Sequence, residues 1–365
     1  MLQRVRAAIV GGMAFLLGLG AMFVWDTFGP EGTLFGSGGQ DGPGELLLAI
    51  DADGSALYAV YPHTGDPYRA DPYPEGERPG IVVETQQGTR TTLLEAQETP
   101  GVAWTVTGDL DGTAAVKLRA TGASASETHY FAGSVAGPLA EVPSPTVDGD
   151  RLDTVDHQLH VAGDRLVAAT ASGDALALID TASGESQLVA TDIGRVAWVH
   201  RDLCAPPDAR AFTIGALDEG AGTQWVVSLP AGEAPTMTQV SYPASMGLGA
   251  PTTSCGASYA AVVSSSADAG REATLFQGGE VWAIGEPGQA LVGEVLLGPD
   301  YVLVGSWEGE QTAGGTSLVR RSDRSWVWIE DAHCGPWRMR GEWIAYVKDT
   351  GGSCEAVVKR ASDVG

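Results

Sequence analysis

From Glu45 onward the chain is built of short apolar or alternating runs, five to seven residues long, separated by Gly, Asp, Ser and Pro. Runs of that length with a period of two predict β-strands, and no stretch shows the 3.6-residue period of a helix. Paired runs recur as hairpins: 45–62, 101–122, 164–184, 195–216, 258–279, 300–323 and 341–360. Their spacing is irregular, with a mean of about 46 residues, the size of a four-stranded propeller blade. One hairpin cannot bury its own apolar face, so the units must pack against one another. The expected fold is all-β: a β-propeller of six to eight blades, seven favoured, over residues 45–365, with a pair of β-sandwiches as the competing arrangement. Trp104, Trp198 and Trp343 recur on the first strand of their units and are expected to pack between blades.

The pattern before Glu45 is different. Arg4 and Arg6 precede nineteen residues, Ala7–Trp25, without a charged side chain. A helix of that length would be about 28 Å long, close to the ~30 Å hydrocarbon core of a bilayer. Its length, its bulky end (Met22, Phe23, Val24, Trp25) and the lack of an A-x-A site favour a retained transmembrane signal anchor over residues 1–25. The alternative is a signal peptide cut before Ala21. The flanking charges predict an inside N-terminus, a single pass through residues 7–25 and an extracytoplasmic C-terminal domain at the cell membrane. Residues 26–44, with seven glycines, read as a flexible tether.

Charge and cysteine content narrow the function classes. Beyond Trp25 the chain carries 19 Lys+Arg against 46 Asp+Glu, a net charge of −27. Such a surface repels phosphate backbones, so no nucleic-acid partner is expected. Cys204, Cys255, Cys334 and Cys354 all lie on the oxidising side of the anchor, and their even number predicts two disulfides. Three connectivities are open, of which Cys204–Cys255 with Cys334–Cys354 is the simplest.

Two segments resemble known repeats. LALIDTASGESQLVA (176–190) looks like the strand–turn–strand of quinoprotein-type bacterial propellers, and ELLLAIDADGSALYAV (45–60) is similar to blades of TolB-like propellers. The resemblance implies a bacterial extracytoplasmic propeller. It implies no cofactor residue, because no Trp stands within Leu188-Val189-Ala190, where a quinoprotein repeat would place one, and no Trp-Asp dipeptide ends a blade.

No G-x-S-x-G elbow, H-E-x-x-H, Walker loop or dinucleotide fingerprint is present. Asp51-Ala52-Asp53-Gly54 and Asp109-Leu110-Asp111-Gly112 share a D-x-D-G pattern, whose paired carboxylates suit Ca²⁺ and whose Asp-Gly suits a hairpin turn. Asp153 and His157, with Asp156 and His160, form a second candidate metal or acid–base group. On a strand, however, His157 and His160 would face opposite sides. The most unusual segment is 61–80, with five prolines and with Tyr61, Tyr68 and Tyr73, a stiff amphipathic surface suited to partner contact. These features point to a membrane-anchored, non-catalytic binding or scaffold module for an envelope protein, peptide or glycan, with no resident cofactor beyond Ca²⁺. The alternative is a carbohydrate-active or quinone-cofactor propeller enzyme with its site in the central channel.

Overall fold

The computed structural model describes residues 44–364 except 64–66, 68–74, 122–126, 156–157, 190–194, 206–208, 218–222, 231–232, 242–250, 256–258, 267–269, 278–279, 285–291, 307–315, 331–335 and 351–352. The predicted anchor and the tether up to residue 43 lie outside the described residues. Among the described residues no helix is long and apolar enough to cross a membrane, and the only helical turn is the 3₁₀ segment Ala361–Asp363.

The chain is an all-β propeller. Six four-stranded antiparallel blades, I–VI, begin with the strands Gly44–Ile50, Ala103–Leu110, His160–Ala162, Arg195–Arg201, Pro251–Ser254 and Val292–Leu297. A three-stranded sheet, Arg338–Arg340, Trp343–Asp349 and Cys354–Arg360, follows blade VI and packs on blade I. The first strand of each sheet lies against a first or second strand of the sheet before it, so the first strands surround the axis. Two-stranded ribbons, Gly76–Arg78 with Gln97–Thr99 and Thr146–Val147 with Asp150–Arg151, bridge the blades.

The core consists of the interfaces between blades, so alternate residues of one strand serve different cores. Leu48 and Leu57 of blade I pack on Trp104, Val106 and Leu118 of blade II. Their neighbours Leu47 and Tyr58 face the opposite way, onto Trp343, Ala345 and Val347. The same alternation joins II to III through Tyr130, Val161 and Ile179, III to IV through Leu178 and Phe212, and VI to the last sheet through Leu303 and Tyr346. A strand buried on both faces reads as an unbroken apolar run, which is why Leu46-Leu47-Leu48-Ala49-Ile50 lacks a polar phase. Trp104 and Trp343 are inter-blade residues as expected. Trp343 stands on the second strand of its sheet and not the first, because the strand before it is only three residues long.

Gly54 marks the closure of the ring. It has φ +82°, and a Cβ there would lie 2.7 Å from the Trp343 ring. Gly112, at the equivalent turn of blade II, has φ +66° with nothing within 4 Å. Gly112→Ala is therefore expected to cost about 1 kcal/mol, the strain of a left-handed L-residue. Gly54→Ala adds an overpacking penalty and should reach about 3 kcal/mol. Chemical denaturation of both variants, compared with the parent, checks the difference.

Candidate functional site

The ends of the first strands and the turns that follow bring charged side chains from four sheets, blades I, II and IV and the last sheet, to one end of the axis. Asp51 ends the first strand of blade I, and its Oδ2 accepts the backbone N–H of Gly112 in the corresponding turn of blade II at 2.7 Å. Asp109 and Asp111 close the first strand of blade II. Arg201 ends the first strand of blade IV and reaches past blade III: Nη2 donates to Asp109 Oδ2 at 2.6 Å, Nη1 donates to Asp111 Oδ2 at 2.9 Å, and Val161 O accepts from Nη2. Arg210, on the next strand, donates Nε to Asp111 Oδ2 at 3.1 Å, with its guanidinium against Gly163. From the last sheet, Arg340 Nη2 donates to Asp111 Oδ1. One carboxylate thus receives three guanidinium groups.

Asp109 is held further by the backbone N–H of Val161 at 2.8 Å, and His160 Nδ1 lies 3.6 Å away. The other ring nitrogen, His160 Nε2, lies 3.0 Å from Val199 O, which fixes the imidazole between blades II and IV. Arg201 also stacks over Phe212, 5.2 Å from the ring centroid.

Burial works against ionisation of Asp109, but the Arg201 charge, with His160 beside it, overrides it and holds the carboxyl well below the usual range. Burial likewise opposes the charge on Arg201, and Asp109 and Asp111 more than restore it. Arg340 is driven below the usual arginine value by burial and then by neighbouring Arg201, against the pull of Asp109, Asp111 and Asp51. With Arg201 on its side chain only 8% exposed, this is a largely dry network in which acids and guanidinium groups neutralise one another.

Of the residues singled out from sequence, Asp51, Asp109 and Asp111 converge here and Asp53 and Asp153 do not. Asp53 stays in its turn, where Oδ1 accepts the Ser55 N–H at 2.8 Å. Asp153 is exposed and paired with Arg151 Nε at 3.2 Å. His157, Tyr68, Tyr73 and Cys334 lie outside the described residues. Tyr61 is fully buried in the core between blades I and II, so its ring packs inside the domain and is not presented to a partner. The Cys204–Cys255 disulfide forms as expected, and Cys354 is also disulfide-bonded. Asp202, Cys204 and Cys255 place their side-chain donor atoms within 4.8 Å of one another, with both sulfurs spent in that bond.

Sequence reasoning did not identify Arg201, Arg210 and Arg340, nor the role of His160. The available signal was positional: Asp109 is the single charge of AWTVTGDL, near its end, and Arg201 is the last residue of RVAWVHR.

No protein-family model matches the chain, and no curated protein sequence matches it. Among solved structures it is similar to an acylaminoacyl peptidase in complex with Z-Gly-Gly-Phe-chloromethyl ketone, with a TM-score of 0.50 and 10% identity over 86% of this chain and 51% of that one. It thus spans about half the length of that peptidase. It is similar also to the β-propeller domain of the Trilobed protease from Pyrococcus furiosus (TM-score 0.49, 10% identity, 88% of this chain and 99% of that one). A third likeness is to AztD from Citrobacter koseri (TM-score 0.48, 10% identity, 88% and 84%). At 10% identity the likeness to the peptidase bears on the fold alone, and the propeller arrangement rests on the six four-stranded blades themselves.

Proposed function

We propose that this propeller is a non-catalytic binding or scaffold module, held outside the membrane by the anchor of residues 1–25 and the tether of 26–44, that docks an envelope protein, peptide or glycan on its loops. The observation that carries this reading is the state of the axial carboxylates. An enzyme working by acid–base chemistry in the channel needs a carboxyl poised near the working pH. Asp109 is driven the other way, and the oxygens of Asp111 are taken by three arginines. Such an arrangement fastens blades together and leaves the loops for recognition.

The convergence of Asp51, Asp109, Asp111 and His160 is what the rival reading, a carbohydrate-active or quinone-cofactor enzyme with a central site, requires. It is weighed less because guanidinium groups, and not open space, face the carboxylates. In the blade II turn these groups supply the positive charge that Ca²⁺ would otherwise bring to Asp109 and Asp111. On this reading the three-stranded sheet counts as a seventh blade, since it is packed on blades VI and I as the others are packed on their neighbours.

The segment around Tyr68 and Tyr73 is the recognition surface we favour. Its buried flank excludes removing 61–80 as a test, since Tyr61 and the ribbon Gly76–Arg78 belong to the fold. The double substitution Tyr68→Ala/Tyr73→Ala in the full chain should leave the melting temperature within about 1 °C and reduce crosslinking to the partner in intact envelopes at least tenfold. Undiminished crosslinking would exclude this segment from recognition. Sequencing of the mature N-terminus tests the anchor: a start near Ala21 would defeat it.

A further inference from the structure

The disulfide Cys204–Cys255 lies in an asymmetric electrostatic setting. Cys204 follows the Arg201-Asp202 end of the blade IV first strand, and Cys255 follows the first strand of blade V, so the bond ties two blades beside the axis, with Cα atoms 4.8 Å apart. Both sulfurs lie under the end of the blade VI first strand; Cys255 Sγ is 3.7 Å from Gly298 O. Arg321 of blade VI is buried against them. Its Nη1 donates to Gly298 O at 2.6 Å and Pro299 O at 2.8 Å, and stands 3.3 Å from Cys255 Sγ against 3.8 Å from Cys204 Sγ. Its Nε donates to Gln277 Oε1 at 3.3 Å, fixing the fork. On the other side, buried Asp202 accepts the Cys204 N–H through Oδ1 at 2.9 Å. Of the two cysteines, Cys204 is the more exposed.

We propose that Cys204–Cys255 is a thiol-exchange site with a built-in direction, open to a dithiol reductant. The incoming thiolate attacks Cys204 Sγ and forms a mixed disulfide there. The S–S electron pair leaves on Cys255 Sγ as a thiolate beside the Arg321 guanidinium. The second thiolate of the dithiol then attacks its own sulfur in the mixed disulfide and releases Cys204 as thiolate. Two electrons pass to the protein, and the dithiol becomes a disulfide.

A guanidinium stabilises the departing thiolate and lowers its pKa, and a lower leaving-group pKa speeds exchange. Asp202 opposes it and disfavours Cys204 as the leaving sulfur. Opening the bond releases the Asp202–Cys204 turn, whose neighbour Arg201 holds the axial network, so the redox state of this pair reaches the candidate site.

The test is the rate at which dithiothreitol reduces this bond in the full chain at pH 7, read by alkylation and mass spectrometry, with the disulfide of Cys354 in the same molecules as reference. Arg321→Met should slow reduction about tenfold relative to the reference. Arg321→Lys should restore most of the rate, and Asp202→Asn should raise it. Glutathione should be trapped on Cys204. An Arg321→Met rate equal to or above the parent, at an unchanged reference rate, overturns the proposal, as does glutathione trapped on Cys255. If Arg321→Met loosens the fold and both bonds reduce faster, Asp202→Asn decides: a rate equal to or below the parent's overturns the proposal.

Discussion

Arg201→Met should destabilise the domain by about 3–5 kcal/mol, the cost of removing one partner of a buried ion pair. The substitution keeps most of the aliphatic stem and removes the guanidinium that stacks over Phe212 and joins Asp109 to Asp111. Asp111 keeps Arg210 and Arg340, whereas Asp109 keeps only the Val161 N–H and the His160 ring. The loss therefore falls on Asp109.

Its pH dependence carries a sign. In the parent the Asp109 carboxyl lies below its unfolded value, so its stabilisation is complete above about pH 4 and is lost as pH falls through the lower folded value. Without Arg201, burial raises the folded value, and protonation relieves the variant in acid. The difference between parent and variant is therefore largest near neutrality and shrinks below about pH 4. Adding Asp109→Asn to Arg201→Met should recover part of the loss, because no buried charge is then left unpaired. Urea unfolding at pH 7 and pH 3.5 checks both points; a constant difference across that range would show that Arg201 acts by packing alone.

The hairpins were legible from sequence because each depends on local pattern. All seven predicted units fall in separate sheets of the structure. In three of them, 45–62, 101–122 and 195–216, the unit is the first and second strands of its sheet. In the other four it is the second and third, because the first strand is short, as in His160–Ala162 and Arg338–Arg340, or less regular in pattern. The D-x-D-G turns were legible as turns, with Gly54 and Gly112 at positive φ.

The partners of their aspartates were not, since Asp111 meets Arg201, Arg210 and Arg340 across 90, 99 and 229 residues. Only ring closure brings those positions together, and no local pattern encodes which blade ends face one another. Tyr61 misled for a related reason. It adjoins a proline-rich loop in sequence, yet it ends a strand whose side chains are buried on both faces.

Between pH 7 and pH 10 the parent should gain about 4 kcal/mol relative to Lys117→Met, through a lysine that sequence alone would place on a blade surface. Lys117 lies on the second strand of blade II and is buried against the connection to blade III. Its Nζ donates to Thr154 O at 2.9 Å, Thr154 Oγ1 at 3.0 Å and Val155 O at 2.8 Å. Tyr130 OH shares the Thr154 hydroxyl at 2.8 Å, and its ring lies 5.7 Å from Nζ.

These neutral oxygens satisfy the donors but bring no full negative charge. Burial, with Arg119 adding to it and Asp153 opposing, pushes the ammonium down to about 7. The folded state then releases this proton near neutrality while the unfolded chain holds it to about pH 10.4. Over that window the unfolded state binds more protons, so stability rises with pH at up to about 1.4 kcal/mol per unit. Other groups titrate alike in parent and variant and cancel in the difference. Denaturant unfolding of both proteins at pH 6, 7, 8.5 and 10 should give a difference that is level up to pH 7 and then moves in favour of the parent. A difference independent of pH would mean that the three hydrogen bonds keep Lys117 charged throughout, and that it works as a fixed clasp between blades II and III.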